Sequence, residues 1–345
     1  MINSIATLRD YYQKHQNEIN MVDGRCLKCH NIKECQRRVK YTSISAIMNM
    51  SKEDSRFPGV IFDIFHAHPE IFRLVPESVF VSLYGNKKKE RRLQSESCGC
   101  CFQGGSAIAE HLAQIEEVYH MLDDDLSKET YINVLMYRLS ASKNFIVNGY
   151  KGEPQYFIQP FRGENSEAVY VDGGAYTGDT FIEYCKYNAP PKRAYLFEPD
   201  QSNIKKLLEN VKAFSDKTEI VAIQKGLYYK DAELYIKAGN NMGSRITEDA
   251  QSDSVGVSVT AIDSIIQDNI SFLKFDVEAF EPFALQGGQQ AISRSYPKLA
   301  VCIYHRINHL WEIPLMVKRM FPEYSHYLIR HHTLAFNETV FYAYK

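Results

Sequence analysis

The sequence lacks the features of a membrane, secreted or nucleic-acid-binding protein. No hydrophobic run approaches the about 20 residues that a transmembrane helix requires, and Met1 to Gln16 lack the basic-then-apolar order of a secretory signal. Charge of one sign is not in excess, because 40 Lys and Arg face 42 Asp and Glu for a formal net charge of -2. Internal repeats and low-complexity segments are missing as well. We therefore expect a cytoplasmic protein with no membrane partner and no nucleic-acid partner.

Disulfide bonds are not expected either, because thiols in the cytosol usually stay reduced. The 8 cysteines are therefore interpreted as buried thiols or metal ligands. A C-x₂-C-x₅-C array and a second cluster could together hold zinc or an iron–sulfur cluster, through Cys26, Cys29, Cys35, Cys98, Cys100 and Cys101. A bound metal would stabilise the first 110 residues, whose weak apolar pattern predicts a small hydrophobic core. Free thiols in a small irregular domain are the alternative.

The length and the apolar pattern predict two domains, since domains of about 100–150 residues are common. Apolar residues at helical spacing predict two adjacent helices between about 110 and 141. The segment from Gly149 to Glu167 is rich in glycine, proline and polar residues, which is typical of a linker. We place an N-terminal domain at 1–165, cysteine-bearing and helical in its second half, and a second domain at 166–345.

The second domain alternates short apolar runs with amphipathic segments. Strands are predicted at Val169–Asp172, Ala194–Phe197, Ile220–Ile223, Phe272–Val277 and Leu299–Tyr304, with helices between them. This alternation predicts an α/β fold with a mainly parallel, doubly wound, Rossmann-like sheet. Tyr327–Arg330 and Thr339–Tyr344 are separated by a short polar turn, which predicts an antiparallel pair at the end of the sheet.

A glycine-rich turn follows the first of these strands and opens a helix. It contains Asp172, Gly173, Gly174, Ala175, Tyr176, Gly178 and Asp179. Glycines there let the backbone approach a ligand, and ligands of such sheets bind beyond the carboxyl ends of the strands. Glu198 ends the next strand, 26 residues after Asp172, where a carboxylate can accept hydrogen bonds from both ribose hydroxyls. A tight turn without any ligand is the simpler alternative.

The spacing of the glycines distinguishes between two adenosine cofactors. The turn does not form the G-x-G-x-x-G pattern of dinucleotide sites. Asp172 and Asp179 would repel a pyrophosphate but suit the cationic S-adenosylmethionine, which has no phosphate. A nicotinamide-dependent oxidoreductase is the alternative enzyme. A non-catalytic, metal-containing binding protein on a similar scaffold is the alternative of another class.

Further motifs follow in a fixed order: Phe197–Asp200, Gly226–Tyr228, Ser244–Ile246, Val259–Asp263, Leu273–Glu278 and Tyr304–His305, preceded upstream by Asp125–Lys128, Tyr137–Leu139 and Gln155–Phe157. With the glycine turn, this order resembles the FkbM-type S-adenosylmethionine-dependent methyltransferases over about residues 110–345. The resemblance implies a class I methyltransferase sheet with an antiparallel final strand. It also implies O-methylation of a hydroxyl on a small molecule or glycan. Two positions depart from the family: Ala279 replaces its usual glycine, and Arg306–His309 lacks its usual acid.

Methyl transfer requires alignment of the acceptor and removal of a proton. Asp276, Glu278 and His305 lie at or just after the predicted carboxyl ends of two strands, and we predict that they are catalytic. His305 is the first candidate for the general base because imidazole titrates near neutral pH; a substrate-orienting or structural histidine is the alternative. Asp276 and Glu278 point to opposite faces unless the chain has already turned. Asp263 is predicted at the adenine end of the cofactor.

Overall fold

The computed structural model describes residues 108, 111–140, 150, 152–237, 246–247, 254–333 and 337–345. Six cysteines predicted to bind metal lie outside these residues, namely Cys26, Cys29, Cys35, Cys98, Cys100 and Cys101. Ser244 and Arg245 of one family motif lie outside them as well. In the part of the chain that is described, no helix combines the length and hydropathy needed to cross a bilayer.

The centre of the fold is a seven-stranded sheet with the strand order β10-β11-β9-β8-β1-β2-β3. Its strands are β1 (Val169–Gly173), β2 (Arg193–Phe197), β3 (Glu219–Ile223), β8 (Phe272–Phe275), β9 (Lys298–Cys302), β10 (His326–His331) and β11 (Thr339–Tyr344). Strand β11 runs antiparallel to both of its neighbours, and the other neighbouring pairs of this sheet are parallel. The predicted doubly wound, Rossmann-like sheet with an antiparallel final strand is therefore confirmed. The strand order reverses at β1, which is where ligands of such sheets bind.

Helices cover both faces of this sheet. They are α1 (Leu112–Met121), α2 (Asp125–Ser140), α3 (Asp179–Tyr187), α4 (Gln201–Val211), α5 (Ile262–Ile265), α6 (Glu281–Gly287), α7 (Gln289–Ser295) and α8 (His309–Met320). Phe181 of α3 and Leu207 of α4 are buried in the apolar cluster on one face. Leu285 of α6 and Trp311 of α8 are buried in the cluster on the other. The sheet thus forms the middle of three layers.

The two helices predicted near 110–141 are present as α1 and α2, and they share a core with the sheet. Ile115 of α1 and Ile132 of α2 are fully buried in the same apolar cluster as Val301 of β9. Arg330 of β10 reaches the loop between the two helices, where its Nη2 lies 2.6 Å from Oδ2 of Asp124. The proposed domain boundary near residue 165 stays a prediction.

The segment interpreted as a linker is packed on the sheet. The ring of Phe157 lies 5.7 Å from that of Phe272 in β8, and the ring of Phe161 lies 4.9 Å from that of Tyr342 in β11. Phe161 ends a 3₁₀ turn at Gln159–Phe161. Proline and glycine prevent regular structure here, but they do not prevent its aromatic side chains from burying apolar surface.

A second, four-stranded sheet lies between β3 and β8 in the chain and was not predicted. It has the order β4-β7-β5-β6 and consists of β4 (Gly226–Leu227), β5 (Ala232–Lys237), β6 (Ile246–Thr247) and β7 (Ser254–Thr260). Leu227, Leu234, Val257 and Val259 of this sheet face the cavity described below. The small sheet therefore forms one apolar wall of the candidate site.

Candidate functional site

A cavity of about 590 Å³ opens beyond the carboxyl ends of β1, β2 and β8. Six of the residues predicted from sequence line it: Gly174, Tyr176, Asp179, Glu198, Asp276 and Glu278. Residues from three strand ends and from the small sheet therefore meet where the strand order reverses. Its volume falls in the range of about 300–1,000 Å³ that is typical of small-molecule sites.

The turn after β1 requires glycine at two positions. Gly174 has a φ of 77°, and a Cβ there would lie 1.9 Å from the backbone oxygen of Asp276. Gly178 has a φ of 81°, and a Cβ would lie 2.7 Å from Cγ1 of Val211 in α4. The backbone N–H groups of Gly174 and Ala175 both donate to the oxygen of Phe197, which ties the turn to β2. These glycines allow the close approach of β1, β2 and β8 at the cavity.

Asp172 does not line the cavity, because its carboxylate is buried in an ion pair with Lys274 of β8. The Lys274 Nζ lies 2.8 Å from Asp172 Oδ1 and also donates to the backbone oxygen of Gly174 at 2.8 Å. Burial would lower the pKa of Lys274, but the charges of Asp172 and Asp276 outweigh it and raise that pKa. The expectation that Asp172 repels a pyrophosphate is therefore wrong, since Lys274 neutralises it. Asp172 instead holds the glycine turn through Lys274.

Glu198 is held at the end of β2 with its carboxylate at the cavity. The backbone N–H of Tyr176 donates to one oxygen at 3.0 Å, and the N–H of Asp200 donates to the other at 2.9 Å. The side-chain amide of Asn203 donates to that second oxygen at 3.2 Å. A carboxylate can accept about four hydrogen bonds, so Glu198 retains capacity for a ligand while its orientation is fixed.

The chain turns immediately after β8, and this brings both predicted carboxylates into the cavity. Strand β8 ends at Phe275, and Glu278 and Ala279 adopt φ values of 53° and 75°. The opposite-faces rule for strands thus does not apply, and Asp276 and Glu278 both line the cavity. Ala279, which stands where the family usually has glycine, occupies the left-handed region that favours glycine. The departure noted in the sequence therefore has a backbone consequence.

The carboxylate of Asp276 accepts hydrogen bonds from two tyrosine hydroxyl groups. Tyr156 donates to Oδ2 at 3.0 Å, and Tyr304 donates to Oδ1 at 3.2 Å. Tyr156 comes from the segment that had been interpreted as a linker. Its role at the site could have been suspected only from the Gln155–Phe157 motif of the family resemblance.

His305 lies among three carboxylates. Its Nδ1 is 2.9 Å from Oε1 of Glu281, and its Nε2 is 3.4 Å from Oδ1 of Asp276 and 3.7 Å from Oε2 of Glu278. Burial alone would lower the pKa of His305, but Glu281 first, then Asp276 and Glu278, raise it to about 9. At neutral pH the imidazole therefore carries a proton. A pKa of about 9 differs from the titration near neutral pH that was the reason for choosing His305 as base, and its role as base stays a prediction.

Glu281 is a buried residue of the candidate site that the sequence did not reveal. It is fully buried at the first position of α6, where it pairs with His305 and accepts a hydrogen bond from the backbone N–H of Val277. Its second oxygen lies 3.4 Å from Nδ1 of His309. Burial would raise the pKa of Glu281, but His305 and His309 outweigh it and lower that pKa. Its only signal was its place five residues after Asp276, at the start of a helix.

Asp263 is not brought to the cavity with the other predicted residues. Its carboxylate accepts hydrogen bonds from the backbone N–H groups of Gln290 at 2.9 Å and Ala291 at 2.8 Å. These are unpaired donors of the first turn of α7, so Asp263 satisfies the end of that helix. It is not among the residues that line the cavity.

Comparisons with known proteins agree with this geometry. Residues 172–331 match the family model described as the methyltransferase FkbM domain. The structure is similar to that of methyltransferase FkbM from Methylobacillus flagellatus KT, with 25% identity and a TM-score of 0.58 over 70% of this chain and 60% of that one. This chain thus spans less than two thirds of that structure. An rRNA methylase from Streptococcus thermophilus matches more weakly, with 13% identity and a TM-score of 0.32 over 53% and 89%. No curated protein matches the sequence.

Proposed function

We propose, from the match of residues 172–331 to the model of the FkbM methyltransferase domain, that the protein transfers the methyl group of S-adenosylmethionine to a hydroxyl oxygen of a small molecule or glycan. The family implies the cofactor. The observation that carries the proposal is the position of Glu198, fixed by three donors at the mouth of a cavity that the glycine turn also lines. The hydroxyl acceptor is taken from the family resemblance.

The residues around the cavity suit this cofactor. We assign the ribose hydroxyls to Glu198, because a carboxylate at the end of β2 can accept from both. The turn formed by Gly173, Gly174, Ala175, Tyr176 and Gly178 would lie against the nucleoside, with Asp172 supporting it through Lys274. Asp179, Asp276 and Glu278 place carboxylates around the cavity, where they would stabilise a sulfonium and an amino group.

Asp276, Glu278 and His305 are proposed to act on the acceptor. S-adenosylmethionine supplies an electrophilic methyl group when bound, so the protein has to align the acceptor oxygen and remove its proton. Alignment alone can contribute about 7–11 kcal/mol to lowering the barrier. The carboxylates of Asp276 and Glu278 can accept hydrogen bonds from an acceptor hydroxyl at the cavity wall. Asp276 is fixed for this by Tyr156 and Tyr304.

Calorimetric titration with S-adenosylhomocysteine tests the proposal. We expect binding to the wild-type protein and at least about tenfold weaker binding to Glu198→Gln, equivalent to about 1.4 kcal/mol. Glu219→Gln is the matched control, because Glu219 is on the neighbouring strand β3 with its side chain exposed and paired with Arg193. Preferential binding of NAD would support the oxidoreductase instead. No binding of either ligand would support the binding-protein alternative.

The cysteines outside the described residues are a separate part of the proposal. We propose that Cys26, Cys29, Cys35, Cys98, Cys100 and Cys101 provide ligands for zinc or an iron–sulfur cluster, on the basis of their spacing. Elemental analysis after anaerobic purification should then find about one equivalent of zinc, or iron with a visible chromophore. Finding neither metal would refute this part and leave the methyltransferase proposal unaffected.

A further inference from the structure

Carboxylates outnumber the cations around His305. Asp276 and Glu278 face its Nε2 from the loop after β8, and Glu281 faces its Nδ1 from α6. Glu338, just before β11, also lines the cavity and has a carboxylate oxygen within 4.8 Å of one from Asp276. The nearby cation Lys274 is already paired with Asp172. The imidazolium of His305 is thus a cation in direct contact with three of these carboxylates and offsets part of their charge.

A cationic ligand would compete with the proton of His305 for the same carboxylates. Asp276, Glu278 and Glu338 line the cavity directly, so a positive charge placed there lies next to the groups that hold the proton on His305. Two positive charges at short range destabilise each other. Of the two, His305 can lose its charge by releasing its proton. His309 contacts the other oxygen of Glu281 and is not among the residues that line the cavity.

The two cofactor forms differ by one charge at the place where this competition occurs. S-adenosylmethionine has a sulfonium, an amino group and a carboxylate, whereas S-adenosylhomocysteine has a neutral thioether in place of the sulfonium. We propose that the cavity stabilises one such cation at a time: His305 is protonated in the free protein and with S-adenosylhomocysteine, and it releases its proton when S-adenosylmethionine binds. This inference rests on the proposed function.

The release would make His305 a base only when the methyl donor is present. As the acceptor oxygen bonds to the methyl carbon, the electron pair of the broken C–S bond stays on sulfur. The hydroxyl proton goes to Nε2 of His305, either directly or through Asp276 or Glu278. The positive charge thereby moves from sulfur to imidazole, and the total charge beside the carboxylates is unchanged. Glu281 is a positioning residue in this scheme, because it holds Nδ1 and leaves Nε2 next to Asp276 and Glu278, which line the cavity.

The scheme predicts that the two ligands release different numbers of protons on binding. Calorimetric titrations at pH 7.5 in phosphate and in Tris, whose ionisation enthalpies differ, measure that number. We expect S-adenosylmethionine to release about one proton more than S-adenosylhomocysteine does. His305→Gln should remove this difference, apart from any contribution of the ligands' own amino groups, which persists in the variant. His326→Gln is the control, because His326 is half-exposed and paired with Asp123 at a distant strand end.

Nitrogen NMR of imidazole-labelled wild-type protein provides a readout that needs no variant. His305 should show the shifts of an imidazolium when free and with S-adenosylhomocysteine, and those of a neutral ring with S-adenosylmethionine. Binding of both ligands with equal proton release and an unchanged His305 spectrum would overturn the inference while leaving the proposed function in place. Binding of neither ligand would overturn the proposed function and this inference together.

Discussion

Ala279 has a backbone conformation that favours glycine over a residue with a side chain. Its φ of 75° costs an alanine roughly 1–2 kcal/mol, and glycine would relieve this at the expense of a more flexible unfolded chain. Ala279→Gly should therefore be neutral or raise the free energy of unfolding by up to about 1 kcal/mol. Ala284→Gly, buried within α6, should lower it by at least about 1 kcal/mol. If urea unfolding shows an equal loss of the free energy of unfolding in both variants, the strain at Ala279 is contradicted.

The raised pKa of His305 also predicts how stability changes with pH. Its pKa is about 9 in the folded protein against 6.5 in the unfolded chain, so protonation stabilises the fold fully below about pH 6.5. That contribution is lost as the pH rises towards 9. We expect the free energy of unfolding to fall by roughly 2 kcal/mol over this range. The free energy of unfolding of His305→Gln should not decline over this pH range. An identical decline in the variant would show that other groups cause it.

Residues whose role follows from their place at a strand end were predictable from the sequence. Residues whose role depends on a partner far away in the chain were not. Gly174, Glu198 and Asp276 each end or follow a strand, and the carboxyl ends of neighbouring parallel strands meet at one edge. Lys274 and Glu281 are charged residues in or next to apolar segments, and only the fold reveals that each is buried against an opposite charge. Without these partners, neither the neutralisation of Asp172 nor the protonation of His305 could be inferred.

The glycine turn between β1 and α3 depends on close contact as well as on backbone conformation. Gly174 and Gly163 have similar φ values of 77° and 79°, but a Cβ meets the Asp276 backbone at the first and nothing within 4 Å at the second. Gly163→Ala should thus cost only about 1–2 kcal/mol of stability and leave affinity for S-adenosylhomocysteine unchanged. Gly174→Ala should cost more and abolish binding in a calorimetric titration. Similar affinities in both variants would show that the turn is not at the cofactor.

Helix α7 provides a test of whether Asp263 is structural. Because its carboxylate accepts from two N–H groups in the first turn of the helix, Asp263→Ala should destabilise the protein by about 1 kcal/mol. The affinity for S-adenosylhomocysteine should not change, as measured by calorimetry below the unfolding temperature. A loss of affinity larger than about tenfold would instead support the interpretation that places Asp263 at the adenine end of the cofactor.

Elements with a clear local apolar pattern were predictable, and elements formed by non-local pairing were not. The central strands were predicted from short continuous apolar runs, and the helices from apolar residues at helical spacing. The small sheet was missed because its pairing is non-local and β4 and β6 contain two residues each. The alternation in Ala232–Lys237 was its main signal, and it was overlooked. Sequence reasoning consequently missed the apolar wall that this sheet adds to the cavity.

At the scale of the whole molecule, the described parts meet around one site. Helices α1 and α2 share buried residues with the sheet, and Arg138 of α2 donates from its Nη2 to the backbone oxygen of Tyr304 at 2.8 Å. Tyr304 in turn contacts Asp276 and precedes His305. The residues before position 166 therefore support Tyr304 and Asp276, which line the cavity. The residues proposed for the cofactor were more completely predicted than the surroundings of those proposed for the acceptor, because the latter are assembled from parts far apart in the chain.

The central claim is that this cavity binds S-adenosylmethionine, and a crystal structure of the protein with S-adenosylhomocysteine tests it most directly. The account predicts density in the cavity with the ribose hydroxyls on Glu198 and the thioether sulfur on the side of Asp276 and His305. Density with the adenosine at any other place, or an empty cavity at saturating ligand, would contradict it.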